Sequence, residues 1–140
     1  MNPKVMMRNV RLLHAAFLTT TFLYVVILNI IQPIGKSPSI ELIVALGVLA
    51  LADLNIGLFF RSRKVKPAEE KLRVSPDDAA SLNEWRLWNL VCFCFAETIC
   101  LFGFVAKIMG AEWKVAGPFF AVGMLLLVLW APRLDVAGAQ

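Results

Sequence analysis

Two acidic residues stand inside apolar stretches of this 140-residue sequence. Glu97 follows Arg86 by 11 residues, about 16 Å along a helix, and Asp53 precedes Arg61 by eight residues, about 12 Å. An ionised acid at the centre of a membrane helix costs roughly 2.5 to 3.5 kcal/mol, so intramembrane acids commonly mark ion pathways or polar contacts between helices. Glu97 and Asp53 are therefore the candidates for handling a proton or a cation.

Other reactive side chains offer little chemistry. His14 is the single histidine, and its position one turn inside Arg11 predicts an interfacial side chain that is satisfied by a hydrogen bond. Cys92, Cys94 and Cys100 fall in one apolar run without a CxxC pair, which is typical of small packed hydrophobes. The sequence has no phosphate loop and no nucleophile with a base. We expect no enzyme activity, no metal and no cofactor.

The elements that must position the acids are four near-continuous apolar runs. The chain is 59% hydrophobic and 17% charged, a composition that excludes an ordinary soluble domain. Each run is about 17 to 20 residues long, roughly the length that a helix needs to cross the hydrocarbon core. The runs are Leu12–Ile31, Leu42–Phe60, Leu87–Ala106 and Val115–Ala131. They lack the alternation of a β-barrel strand, so the sequence predicts an all-α polytopic membrane protein with a four-transmembrane-helix bundle.

The basic residues predict the orientation of that bundle. Lys and Arg number three in the N-terminal tail, one in the first link, seven between residues 61 and 86, and two in the third link. The positive-inside rule places the N-terminus, the 61–86 loop and the C-terminus in the cytoplasm. We expect a multi-pass protein of the bacterial inner membrane. The basic residues that give the chain its net charge of +4 flank the apolar runs, so this charge gives no reason to expect nucleic-acid binding.

Start signals refine the boundaries within a single membrane domain. We predict helices over about 8–31, 38–61, 76–106 and 113–131, with a cytoplasmic loop over 61–86. Ser75, Pro76, Asp77 and Asp78 combine a capping hydroxyl, a proline for the first turn and two acids for the positive end of the helix dipole. The third helix is therefore expected to begin in the cytosol and run through Ser81 into the membrane.

Small residues predict which helix faces meet. Such residues let membrane helices approach closely, and they lie beside both acids. The stripes are Cys92, Ala96, Cys100 and Gly103 beside Glu97, and Gly47, Ala50 and Gly57 beside Asp53. If the two stripes oppose each other, Glu97 lies against the helix that carries Asp53.

The segment from Ala96 to Val105, Ala-Glu-Thr-Ile-Cys-Leu-Phe-Gly-Phe-Val, resembles the acid-bearing helix of the proteolipid c subunits of rotary ATP synthases. That resemblance covers about a dozen residues and implies that Glu97 carries a translocated proton or sodium ion. The glycine-rich inner helix and the short polar turn of that family have no counterpart here. The overall layout, including Pro132 and Arg133 after the last apolar run, resembles uncharacterised small four-helix membrane proteins of bacteria.

Three functions remain open at this point. The first is an accessory or structural subunit of a membrane assembly, with the buried acids as hydrogen-bonding contacts between helices. The second is a proton- or cation-coupled carrier or channel component that uses Glu97. The third is a small exporter, a class that places its acid in the first helix, where this chain has Thr19. The expected partners are the lipid bilayer and other membrane subunits or further copies of the chain.

Overall fold

The structure of the protein, a computed structural model, describes residues 3–35 and 37–132. Nearly all of these residues are helical, and they contain no β-strand, which confirms the all-α prediction. The helical elements are α1 (Pro3–Ile30), α2 (Ile40–Phe60), a π-helical segment (Arg61–Val65), α3 (Lys66–Val74), α4 (Ala79–Ile108) and α5 (Trp113–Leu129).

Three helical stretches are long and apolar enough to cross a membrane. They are Lys4–Ile30, Ile40–Val74 and Ala79–Ile108. The fourth predicted span corresponds to α5, which is apolar but only 17 residues long. Its length is at the lower limit for crossing the hydrocarbon core.

Helix α4 lies at the centre and packs against α1, α2 and α5. It runs in the same direction as α1, because Phe17 contacts Phe93 and Tyr24 contacts Phe104 further along both helices. It runs opposite to α5, since Gly123 meets Cys100 while Ala116 meets Gly103. The fold therefore places the middle of α4, where Glu97 lies, in reach of three other helices.

The prediction of a loop over 61–86 is wrong for most of these residues, which are helical. Helix α2 continues without a break through the π-helical segment into α3, and the chain leaves helical structure only between Val74 and Ala79. Val65, Ala68 and Leu72 recur at helical spacing and are buried in one core cluster with Leu82 of α4. That apolar stripe holds a highly charged segment in a helix.

Pro67 explains the wide turn at this junction. Proline has no backbone N–H, and in a regular helix its ring clashes with the carbonyl four residues earlier, here that of Arg63. The Lys66 N–H instead bonds the Arg61 carbonyl five residues back. The π-helical geometry thus accommodates the proline without ending the helix.

The predicted long helix that begins before the membrane is present as α4. Its cap is Asp78 instead of Ser75: the Asp78 carboxylate accepts hydrogen bonds from the backbone N–H groups of Ala80 and Ser81, both at 3.3 Å, and from the Ser81 hydroxyl. These bonds, first that of the hydroxyl, hold the pKa of Asp78 below its usual value. A strong cap therefore fixes the start of the central helix.

Candidate functional site

Glu97 bridges α4 and α1. It lies midway between Arg86 and Lys107, the basic residues near the two ends of α4. Its Oε1 accepts a hydrogen bond from the Tyr24 hydroxyl at 3.3 Å, and the Tyr24 ring packs against Phe104 with 5.0 Å between ring centroids. The carboxyl group is half-buried. An acid at mid-helix depth is thus held by a side chain of another helix.

The structure does not place Glu97 against the Ala50, Asp53 and Gly57 face of α2, as the small-residue stripes predicted. Its partner is on α1. The reason is that α5 covers Ala96, Cys100 and Gly103 of the small-residue stripe of α4, and that Glu97 lies one residue further round the helix from Ala96. A step of about 100° turns its side chain away from the stripe.

The stripe on α4 does permit a close approach, and the approaching helix is mainly α5. A Cβ added to Gly123 would come within 2.6 Å of the Ala96 carbonyl oxygen and would collide with the Cys100 thiol. A Cβ added to Gly103 would come within 2.9 Å of the Ala116 carbonyl oxygen. Sequence reasoning missed Gly123, although its spacing of seven residues from Ala116 was a visible signal.

The predicted packing residues of α2 behave differently from one another. Gly57 is buried, the Cys92 thiol points to its carbonyl oxygen at 3.8 Å, and an added Cβ would meet the Trp130 ring at 2.7 Å. Ala50 is half-buried and packs against the main core cluster. A Cβ added to Gly47 would meet nothing within 4 Å, so no close contact requires a glycine there.

Asp53 and Glu97 are not joined by a hydrogen bond. Asp53 is half-buried on α2 and makes no hydrogen bond or ion pair within the part of the chain that the structure describes. Glu97 bonds to Tyr24 of α1 instead. The two acids therefore have separate surroundings and do not form a paired-carboxylate site.

Two other polar side chains of α1 face neighbouring helices. Thr21 is fully buried, its hydroxyl makes no hydrogen bond of ordinary geometry, and the group it faces is the weakly bonding Cys100 thiol. The His14 Nε2 lies 2.8 Å from the Leu127 carbonyl oxygen, and the ring packs on Phe93. His14 is satisfied, as the sequence predicted, and it links α1 to α5.

A second polar network, which the sequence analysis missed, joins α2, α3 and α4 at the π-helical segment. Arg61 Nη1 donates to Asn89 Oδ1 at 2.8 Å, and Nη2 lies 3.6 Å from Glu69 Oε1. The Trp85 indole N–H donates to that same Glu69 oxygen at 3.2 Å, and the Asn89 amide donates to the Trp85 carbonyl oxygen at 2.8 Å. Asn89 and Trp85 are fully buried. We call these four residues the junction network.

The arrangement supplies hydrogen bonds between helices more than it supplies a reaction centre. No three His, Cys, Asp or Glu side chains within the described residues lie close enough together to hold a metal ion, and the three cysteines there are free thiols. Three half-buried polar side chains, Glu97, His14 and Arg61, instead make hydrogen bonds to another helix. Comparison of the chain with protein-family models, with curated proteins and with solved structures finds no match.

Proposed function

We propose that this chain is a multi-pass structural or accessory protein of the bacterial inner membrane, without catalytic activity of its own. In this proposal Glu97 holds α1 against α4 within a larger membrane assembly. The observation that carries it is the hydrogen bond from the Tyr24 hydroxyl to the Glu97 carboxyl, which uses the one acid at mid-depth of α4 as a contact between helices.

The distribution of interhelical hydrogen bonds supports a structural role. His14 ties α1 to α5, Glu97 ties α4 to α1, and Arg61 ties the end of α2 to α4. Interhelical hydrogen bonds in membranes contribute about 0.6 kcal/mol on average and up to about 1.7 kcal/mol. Two of these contacts end on the central helix α4 and the third joins α1 to α5, and together they stabilise the bundle without any requirement for ion movement.

Proton or cation handling at Glu97 is the alternative function. Two observations favour it: the Glu97 carboxyl is only half-buried, and the unsatisfied Thr21 hydroxyl lies on the same side of α4 beside Cys100. The small exporter has no such observation in its favour among the described residues.

Stability measurements test the structural role. Glu97→Leu and Tyr24→Phe should each lower the thermal stability of the purified protein in mild detergent, because each removes one member of the pair. Glu97→Gln should retain most of the thermal stability, since an amide oxygen still accepts the hydrogen bond from the Tyr24 hydroxyl. The double variant Tyr24→Phe with Glu97→Leu should lose less than the sum of the single losses. Additive losses would contradict a direct Tyr24–Glu97 contact.

Flux measurements separate the two functions. Vesicles that contain the purified protein and a pH-sensitive dye should show the same proton flux for wild type and Glu97→Gln if the acid is structural. Loss of a pH-dependent flux in Glu97→Gln, with thermal stability retained, would instead establish proton handling, because an amide cannot ionise. Asp53→Asn is the matched control, since it removes the other intramembrane acid, which does not contact Glu97.

A further inference from the structure

Helix α2 turns most of its surface away from the rest of the protein. Leu46 and Gly57 are its only buried residues. Four large side chains on its outward side, each between 47% and 61% exposed, follow the helix from one end to the other: Val44, Val48, Leu51 and Leu58. None of them belongs to a core cluster.

These residues repeat with the spacing of a helix-pairing seam. Val44, Leu51 and Leu58 are seven residues apart, and Val48 and Asn55 occupy a second seven-residue series between them. Steps of four and three alternate, so all five side chains lie on one stripe of the helix. In two-stranded helix pairs a single asparagine within such a stripe fixes the register and the number of strands. We call these five residues the α2 seam.

Asn55 is the one polar residue of the α2 seam, and its amide needs a partner. It is exposed, and its side-chain N–H donates to the Leu51 carbonyl oxygen of its own helix at 2.6 Å. The amide retains a second N–H and its oxygen, which lipid chains cannot satisfy. Asparagine side chains commonly hydrogen-bond across helices in membranes.

We propose that α2 pairs in parallel with α2 of a second copy of this chain, around a two-fold axis along the membrane normal. The α2 seam forms the contact, and Asn55 faces Asn55 of the other copy. A second copy is the occupant because symmetry brings its Asn55 to the same depth, and an amide is both donor and acceptor.

This inference rests on the proposed membrane location and names a partner for the proposed assembly. It does not depend on Glu97, which faces α1 on the other side of α4 from α2. A monomeric protein would overturn the pairing and leave the Glu97 experiments unaffected. A result against the structural role of Glu97 would leave the pairing in place.

Cysteine cross-linking of the full chain in bacterial membranes tests the geometry. Single cysteines replace each member of the α2 seam in a Cys94→Ser background, which removes the exposed native thiol. Leu49→Cys and Ile56→Cys are the controls, because these positions are exposed on the same helix but lie off the α2 seam. We expect oxidation to give homodimers at the seam positions at least several-fold more efficiently than at the controls. Equal cross-linking around the helix, or none at the seam, would overturn the proposal.

The contribution of Asn55 is measured by energy transfer between labelled copies in lipid vesicles. Asn55→Leu should weaken the dimer roughly three- to eighteen-fold, the effect of one interhelical hydrogen bond, whereas Asn55→Gln should retain most of the affinity. Asn29→Leu is the matched control, since Asn29 is also exposed and bonds its own helix, at the Val25 carbonyl. Equal affinity for Asn55→Leu and wild type would contradict the role of the amide. If the cysteines of the α2 seam formed cross-links only to a different protein, that result would overturn the choice of a second copy as the partner.

Discussion

Gly123 decides which neighbours Glu97 has. Because this glycine has no side chain, α5 comes close enough for the α5 backbone to lie against Ala96 and Cys100 of α4. Ala96, Cys100 and Gly103 are thereby covered, and the side chain of Glu97 turns toward α1, where Tyr24 is in reach. The surroundings of the acid thus depend on a residue that carries no chemistry.

Gly123→Ala should destabilise the protein, whereas Gly47→Ala should not. The added methyl at Gly123 collides with the Cys100 thiol and the Ala96 carbonyl, and overpacking of this kind costs about 1 to 3 kcal/mol in the free energy of unfolding. The same change at Gly47 meets open space and raises helix propensity by up to about 1 kcal/mol. Thermal unfolding of both variants in the same detergent provides the comparison. Equal loss in the two would show that α5 does not approach α4 this closely.

At the scale of elements, the junction of α2 and α3 joins the apolar part of the molecule to its charged end. The π-helical segment brings Arg61 to the buried Asn89. Glu69 forms an ion pair with Arg61 and accepts a hydrogen bond from the Trp85 indole. Val65 and Leu72 pack in the core cluster on either side of these contacts. Helix α3 is therefore held by a polar network and an apolar stripe together.

Asn89→Leu should loosen α3 while leaving the other helices in place. The change keeps the branched shape and the number of heavy atoms of the side chain but removes the acceptor that lies 2.8 Å from the Arg61 guanidinium, which then keeps only Glu69 as a partner. Hydrogen bonds to charged groups contribute about 1.5 to 3 kcal/mol. Amide hydrogen exchange should accelerate across Lys66–Val74 and stay unchanged in Trp113–Leu129. Arg63→Gln is the control, because Arg63 lies in the same segment but is exposed. Equally fast exchange in α3 of both variants would argue against the junction network.

The sequence predicts those elements whose signal is local. Four apolar runs predict four long helices, and the acids after Ser75 predict a capped helix start close to the observed Asp78. The sequence analysis misses α3, since the many charges of this segment conceal a short buried stripe around a proline: Val65 of the π-helical segment and Ala68 and Leu72 of α3. It also misplaces Glu97, because the choice between α1 and α2 depends on how closely a fourth helix packs. Competition of this kind between helix faces is a property of the assembled bundle, and the spacing within one helix does not determine it.

At the scale of the whole molecule, the basic residues collect at one end. Met6 and Val10 near the start of α1 pack in the same cluster as Val65, Leu72 and Leu82. The start of α1, helix α3 and the start of α4 therefore form a common end of the bundle. The N-terminal tail and residues 61–86 contribute three and seven Lys and Arg to it, against three in the two links at the opposite end.

This asymmetry predicts that both termini face the cytoplasm. Short segments rich in Lys and Arg stay on the cytoplasmic side during insertion, and four crossings return the chain to the side on which it began. A fluorescent protein fused after Gln140 should therefore be bright in bacterial cells, and alkaline phosphatase at that position should be inactive. Phosphatase inserted within residues 33–39 should be active, which controls for reporter expression and insertion. An active phosphatase after Gln140 would contradict the orientation. Helix α5 is the shortest of the four apolar helices, so such a result together with an active 33–39 insertion would mean that α5 does not cross the bilayer.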